Sequence, residues 1–349
     1  MRESIMYKIA VDAMGGDNAP EAIVAGIEQA RDKMPDTEFL LFGQLDKVKP
    51  LVKNAERLTL IQSDEVVEMG EEPVKAIRRK KQSSLVMAAQ AVKDGEADAI
   101  FSAGNTGALL AVGIFTVGRI RGIDRPALLT VLPALDGPHE AFAMMDVGAN
   151  AENRPTHLYQ YGILGSFYAK EVLGFDNPRV GLLNNGTEED KGDPIHKEAH
   201  QLLKHGAVQS YLNFVGNVES RDILQGPADV VVADGFSGNA ALKATEGTAL
   251  AMLRLIKHAI LDGNVKTKLA GLMLKPAMKD IQSRLDYSQH GGAVVIGVKA
   301  PVVKTHGSAG PSAVANTMVQ IHTMLETDLV AKTEAFVAEH KTDLSKSAK

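Results

Sequence analysis

The chain contains no cysteine and no tryptophan. Without thiols it has no disulfide, no thiolate nucleophile and no cysteine-based zinc site. That composition suits a reducing compartment, so a cytoplasmic location is the expectation. Aromatic residues make up only 5% of the chain, too few for the stacking platforms of single-stranded nucleic-acid binders. Positive charge is also short: the formal net charge is −5, which argues against a nucleic-acid partner. No uninterrupted apolar run is long enough to span a bilayer, so any membrane contact is expected to be peripheral. Met1–Ile9 lacks the apolar stretch of a secretion signal.

Several familiar motifs are missing too. There is no Walker loop, and no turn carries the three spaced glycines of a dinucleotide fingerprint. The stretch from Gly235 to Gly238 resembles a nucleophile elbow, but Asn239 stands where the second glycine belongs. His196 and His200 lie one helical turn apart, with His205 following, yet no metalloprotease-type glutamate accompanies them. A solvated helix face is the better reading, and no metal is expected.

What the chain does have is five apolar runs that each end in a small polar residue and a glycine-rich turn. They are IAVDAMGGDNAP, DAIFSAGNTGALL, AFAMMDVGAN, VGLLNNGTEEDKG and DVVVADGFSGNAALK, led by Asp12, Ser102, Asp146, Asn184 and Asp234. Each alone is explained by a capped strand-to-helix turn. In an open α/β sheet, however, strand ends line one crevice, so the five together predict a single pocket for an oxyanion. One helix end supplies only about 0.3–1 kcal/mol toward an anion, so several must converge or cations must help. Candidate cations are Lys191, Lys243 and His306. The amides and glycines of the turns, Gly15, Gly16, Gly104, Thr106, Gly107, Ser237, Gly238 and Asn239, are the expected anion cradle, with His306 beside them.

Strand-like runs alternate with helical patterns for most of the length, the signature of an α/β protein with a largely parallel sheet. Expected strands are Tyr7–Val11, Glu38–Phe42, Leu58–Gln62, Ala99–Ser102, Ala127–Leu132, Ala141–Asp146, Arg179–Leu183, Phe214–Val218, Asp229–Ala233 and Ala293–Val298. Helices are expected at Ala22–Met34 and Ser84–Lys93, bounded by Pro20, Pro35 and Gly95. Residues 239–285 break the rhythm as a long apolar helix hairpin turning at Asp262-Gly263-Asn264, in which Pro276 should kink or interrupt the second arm. Such a hairpin is expected to bury its apolar face in a dimer partner or to rest on lipid. The organisation is therefore one α/β catalytic domain over 6–330, carrying the hairpin, and a charged tail over 331–349. Arg78-Arg79-Lys80-Lys81, with Lys75 upstream, is the densest basic cluster: a solvated helix end, or a dock for an acidic partner.

These stretches, in this order, closely resemble the bacterial phosphate acyltransferase family of phospholipid synthesis (PlsX). The match runs from IAVDAMGGDNAP through EPVKAIRRKKQSS and the later turns to KTHGSAG. Asn18 stands where many members carry histidine, so position 18 is given no catalytic role. The resemblance implies a three-layer αβα fold similar to phosphotransacetylases and to isocitrate and isopropylmalate dehydrogenases. It implies transfer of a long fatty acyl group from acyl carrier protein (ACP) to inorganic phosphate, giving acyl phosphate for a membrane glycerol-3-phosphate acyltransferase. It also implies a peripherally membrane-associated homodimer without a cofactor.

That chemistry needs charge control more than strong acids or bases, because the leaving thiolate has a conjugate-acid pKa near ~8.5. Neutral donors of the required type are Asn105, Asn150, Asn184, Asn185 and Asn239. Asp12 and Asp234 would orient donors or hold Lys243. Asp12, Asn105, Asn184, Asn185, Asp234 and Lys243 are thus the candidate catalytic set, and Lys75, Arg78, Arg79, Lys80 and Lys81 the candidate ACP dock. A serine acyl-enzyme through Ser237 or Ser308 stays open, although no general base is evident for either. Two other functions also stay open: a phosphotransacetylase-like enzyme using acyl-CoA, and a non-catalytic membrane scaffold for lipid enzymes.

Overall fold

Short runs of Val, Ile, Leu and Phe become strands whose alternate residues enter two different apolar layers. In the first strand Ile9 and Val11 pack on one side of the sheet and Ala10 on the other. The computed structural model describes residues 6–284 and 291–345. The expected end of the hairpin at Leu285 and residues 346–349 of the expected tail lie outside the described residues.

The strands are β1 (Tyr7–Asp12), β2 (Thr37–Gly43), β3 (Leu58–Gln62), β4 (Ala99–Ser102), β5 (Ala127–Pro133), β6 (Ala141–Met145), β7 (Arg179–Asn184), β8 (Asn213–Glu219), β9 (Val230–Val232), β10 (Ala293–Ile296) and β11 (Val302–Lys304). They form one sheet in the order β3-β2-β1-β4-β11-β10-β5-β6-β9-β7-β8. β3, β2, β1, β4 and β11 are mutually parallel. β10 is antiparallel to both β11 and β5, and β5 to β6. β6, β9, β7 and β8 are parallel again. The two parallel halves therefore run in opposite directions, and the reversal falls at β10 and β5.

The helices are α1 (Glu21–Arg31), α2 (Leu45–Val48), α3 (Pro73–Arg79), α4 (Ser84–Lys93), α5 (Thr106–Val112), α6 (Pro155–Glu171), α7 (Pro194–Val208), α8 (Gly235–Leu261), α9 (Val265–Arg284), α10 (Pro311–Glu326), α11 (Leu329–Glu339) and α12 (Lys341–Leu344). α1, α6, α7 and α10 cover one face through Ile23, Ile27, Tyr159, Leu203 and Ile321, and α4 and α5 cover the other through Leu85, Ala88 and Leu109. The fold is the expected three-layer αβα sandwich.

α8 and α9 form the hairpin, capped at its turn by Asn264, whose side chain accepts from the amide of Thr267. Within α8 only Gly235 and Gly238 are buried, so the arms stand away from the sheet. Leu255, Leu269, Leu272 and Met273 on them are exposed. α9 runs through Pro276 without a break, so interruption there does not occur.

Two expectations change. β11 was not anticipated, because three residues between Pro301 and Thr305 carry too short a pattern. Residues 331–344 are not a charged tail. They continue α11 and form α12, with Val337 fully buried and Leu344 at 1% exposure. Phe336 packs against Phe167 and Tyr211, and Gln160 donates to the carbonyl of Leu344. The apolar stripe Leu329, Val337, Leu344 is narrow, and charges on the outer face hide it in the sequence. Replacing a buried leucine by alanine costs about 2–5 kcal/mol. Leu344→Ala is therefore expected to lower the denaturation midpoint markedly, as read by thermal unfolding. An unchanged midpoint would make α12 a loose appendage.

Candidate functional site

Asp12 closes β1 and is buried. Its carboxylate accepts from Ser84 Oγ at 2.5 Å and Ser102 Oγ at 2.7 Å, and from the amide of Met14 at 3.3 Å. Burial pushes its pKa above the usual carboxylate range, while the serine hydroxyls pull it back. The group pins the β1–α1 turn to the β4–α5 turn. A side chain at Gly15 would put its Cβ 2.4 Å from Asp12 Oδ2 and 2.8 Å from the amide nitrogen of Gly104, so only glycine permits this approach. Asn105 plays a similar part. Its Oδ1 caps α5 by accepting from Ala108, and its Nδ2 donates to the carbonyls of Glu68, Met69 and Glu71. Both residues are committed to holding loops, which leaves neither as a free donor for substrate.

Above these turns lies a cleft of ≈ 430 Å³, over the strands where the sheet reverses. One wall is made by Asp17, Thr106, Lys304, Thr305, His306 and Gly307. The opposite wall is α8, through Asn239, Leu242, Lys243 and Glu246, which share one helix face. Leu128, Thr130, Val147, Gly148 and Met69 supply the rest of an apolar lining, with Gly291, Gly292 and Ala293 at its side. Of the expected site residues, Thr106, Asn239, Lys243 and His306 meet here. Gly15 is buried behind the cleft, Gly16 and Gly104 belong to the pinned turns, and Gly107 abuts Pro73 of α3. Asn18 spans from the first turn to the carbonyls of Ser308 and Ala309.

Lys304 is the residue that sequence reasoning missed. It sits at the end of β11, 8% exposed, and burial pulls its pKa down to about 8, against the pull of Asp17. The signal was available as a lysine closing the apolar run Val302-Val303, inside KTHGSAG.

The expected cradle of main-chain amides is only partly open. At the start of α8, Gly235 N donates to Asn150 O and Gly238 N to Asp234 O, while Phe236 N and Ser237 N donate to Asp234 Oδ1. A Cβ on Gly238 would lie 2.0 Å from Asp146 O, so this end is clamped shut. Ser237 and Gly238 thus present no free amide. At α5, the amides of Thr106 and Gly107 have no partner among the described residues. Asp146 is likewise internal, accepting from Leu128, Gly148, Ala149 and Asn150.

Asn184 and Asn185 lie outside the cleft. Asn184 donates to Lys191 O and Asn185 accepts from Gly192 N, closing the 185–192 loop, in which Lys191 Nζ is 4.0 Å from Glu188. β6, β7 and β9 all run opposite to β1 and β4, so the turns after them start at the other edge of the sheet. The turn after β6 still reaches the cleft through Val147 and Gly148, and the turn after β9 reaches it through α8. The Asn184 turn adds no residue to it, and the expectation of one crevice fed by all five is corrected to four. His196 and His200 are not solvated. His196 lies 2.8 Å from Asp193 and 3.5 Å from Asp234, and buried His200 contacts Asn217 Oδ1. Burial opposes ionisation of Asp234, but His196 and the amide of Ser237 outweigh it and hold its pKa well below the usual range. Asp234 is therefore the cap of α8 and a partner of His196, away from Lys243. Ser308, read without a general base, has His306 Nδ1 2.8 Å from its Oγ, yet Ser308 does not line the cleft.

On the rim, α3 exposes Lys75, Arg78 and Arg79, with Lys81 just beyond. Lys80 turns inward to Glu71 and the carbonyl of Val66 and leaves the basic face.

The fold is similar to that of the phosphotransacetylases. A Streptococcus pyogenes phosphotransacetylase matches with a TM-score of 0.61, covering 93% of this chain and 96% of its own at 15% identity. A branched-chain phosphotransacylase from Enterococcus faecalis matches at 0.58, covering 92% and 99% at 14% identity. At such identities the likeness is one of fold. The chain itself belongs to the phosphate acyltransferase family. Residues 7–332 match the family model described as fatty acid synthesis protein. The chain is 64% identical to a phosphate acyltransferase of Leuconostoc mesenteroides over 337 residues, covering 97% of this chain and 98% of that one. It is 56% identical over 333 residues to one from Pediococcus pentosaceus, covering 95% of each.

The His196 clamp has a pH signature. Asp234, foremost, raises the pKa of His196, so its stabilisation is complete below about pH 6.5 and fades as pH rises through the raised value. Asp234 has a lowered pKa, so its share is present above about pH 4 and fades on acidification. The difference in thermal midpoint between wild type and His196→Ala is expected to be greatest between those limits. A difference independent of pH would remove the clamp.

Proposed function

We propose that the protein transfers a long-chain fatty acyl group from acyl carrier protein to inorganic phosphate, releasing acyl phosphate and free carrier protein. The observation that carries this reading is the double character of the cleft. Lys243, Lys304, His306, Thr106 and Asn239 offer charge and donors to an anion, and Leu128, Val147, Leu242 and Met69 offer an apolar wall to a hydrocarbon chain. Each buried methylene contributes about 0.8 kcal/mol, so a wall of this kind favours long tails. Family membership supports the same reaction.

The step follows from those groups. A phosphate oxygen attacks the thioester carbonyl, a C–O bond forms, the C–S bond breaks, and the carrier's thiol departs as a thiolate. Two negative groups must meet, so cations and donors that neutralise the developing oxyanion lower the barrier, and one such donor is worth about 2.7–4 kcal/mol. No side-chain nucleophile is required. The carrier docks on Lys75, Arg78, Arg79 and Lys81. α3 abuts α5 through Pro73 against Gly107, and the loop before α3 lines the cleft through Met69. The exposed apolar arms of α8 and α9 serve a homodimer contact and a membrane surface, where the product passes to a membrane glycerol-3-phosphate acyltransferase. No helix among the described residues is long and apolar enough to cross a membrane.

Purified protein given palmitoyl-ACP and labelled phosphate is expected to form acyl phosphate with stoichiometric release of ACP. Release that does not depend on phosphate, or none at all, overturns the reading. Reversing Arg78 and Arg79 to glutamate is expected to raise KM for acyl-ACP about ten-fold, roughly 1.4 kcal/mol, and to leave KM for phosphate unchanged. An unchanged KM for acyl-ACP would move the dock elsewhere.

A further inference from the structure

We propose that Lys304 is a direct phosphate ligand of the cleft, an assignment that rests on the acyl-transfer reading. β11 places it beside Ser102 of β4 and Ala293 of β10, at the strand reversal, with its side chain lining the cleft. Nζ donates to the carbonyl of Thr305 at 2.8 Å, and the described residues give it no ion pair. An ammonium has three donors, so this buried group keeps capacity that the protein itself does not use. A buried charge offset only by Asp17 at longer range is costly, and an anion entering the cleft reduces that cost.

The charged groups sharing the cleft come from three elements. Asp17 lies on the β1–α1 turn, His306 on the loop after β11, and Lys243 and Glu246 on α8. Lys243 and His306 are exposed whereas Lys304 is buried, so nitrogen donors run from the mouth of the cleft to its floor. An inorganic anion small enough to pass the mouth meets its least hydrated partner at the bottom. Burial already holds the ammonium down to about 8, so its grip weakens as pH rises past that value in the free protein.

The test uses the full chain and inorganic phosphate. Wild type is expected to show a phosphate-dependent rise in thermal midpoint that declines at alkaline pH. Lys304→Met is expected to lose that rise and to increase KM for phosphate about ten-fold or more, the loss of one charge-assisted hydrogen bond. Its KM for acyl-ACP should stay unchanged. Lys304→Arg keeps a charge that does not titrate, so its phosphate response should persist to higher pH. A folded Lys304→Met with the wild-type phosphate response overturns the assignment. Should that variant fail to fold, a Lys304→Arg protein whose alkaline decline stays at the wild-type pH overturns it instead. Phosphate binding that depends on Lys304 without formation of acyl phosphate would sink the acyl-transfer reading and keep the ligand. Turnover with phosphate binding indifferent to Lys304 would do the reverse.

Discussion

A reversal of strand direction at the centre of the sheet creates the cleft. β10 is antiparallel to both β11 and β5, β5 is in turn antiparallel to β6, and every strand from β6 outward runs opposite to β1 and β4. Because of that reversal, the helix following β9 returns across the sheet toward the turns that follow β1 and β4. α8 brings Asn239, Lys243 and Glu246 opposite Thr106, Lys304 and His306 in this way. In a sheet of uniform direction, α8 would begin at the same edge as those turns and lead away from them. Ligand crevices at points where strand order or direction changes follow from the same geometry.

The polar residues at the strand ends mostly serve the backbone. Asp12, Asp146 and Asn105 are buried and spend their hydrogen bonds on turns and loops. Asp234 is spent on the first turn of α8 and on His196. Buried backbone groups left unpaired cost enough that such loops need an internal acceptor or donor. What remains for a ligand is the layer above: a hydroxyl, an amide and several cations set against an apolar wall. Electrostatic control in this cleft therefore comes from side chains on α8 and the loop after β11 more than from a ring of main-chain amides.

Two surfaces extend that chemistry outward. α3 carries its arginines beside the loop that Asn105 holds next to the cleft, so the basic face and the cleft are neighbours. The hairpin carries exposed leucines and methionines far from the sheet, in a chain whose other large apolar side chains are mostly buried. The chain thus sets a basic face near its cleft and an exposed apolar arm away from it.

Local pattern made much of this legible. Apolar runs ending in Asp12, Ser102 and Asn184 marked strand ends within a residue or so, because strand periodicity and glycine turns are short-range properties. The hairpin and the basic face of α3 were readable for the same reason, and Asn239 and Lys243, singled out from the same pattern, line the cleft. Pairing was not. Which strands neighbour one another, and in which direction, depends on contacts far apart in the chain, as between Val294 of β10 and Leu129 of β5. Only tertiary structure could send Asn184 to the far edge, turn His196 onto Asp234, fold 331–344 into the core and bury Lys304 in the cleft. The sequence by itself determined the elements and the chemistry of their ends. The fold decided which of those ends face each other, because burial and charge are shared between residues that only packing brings together.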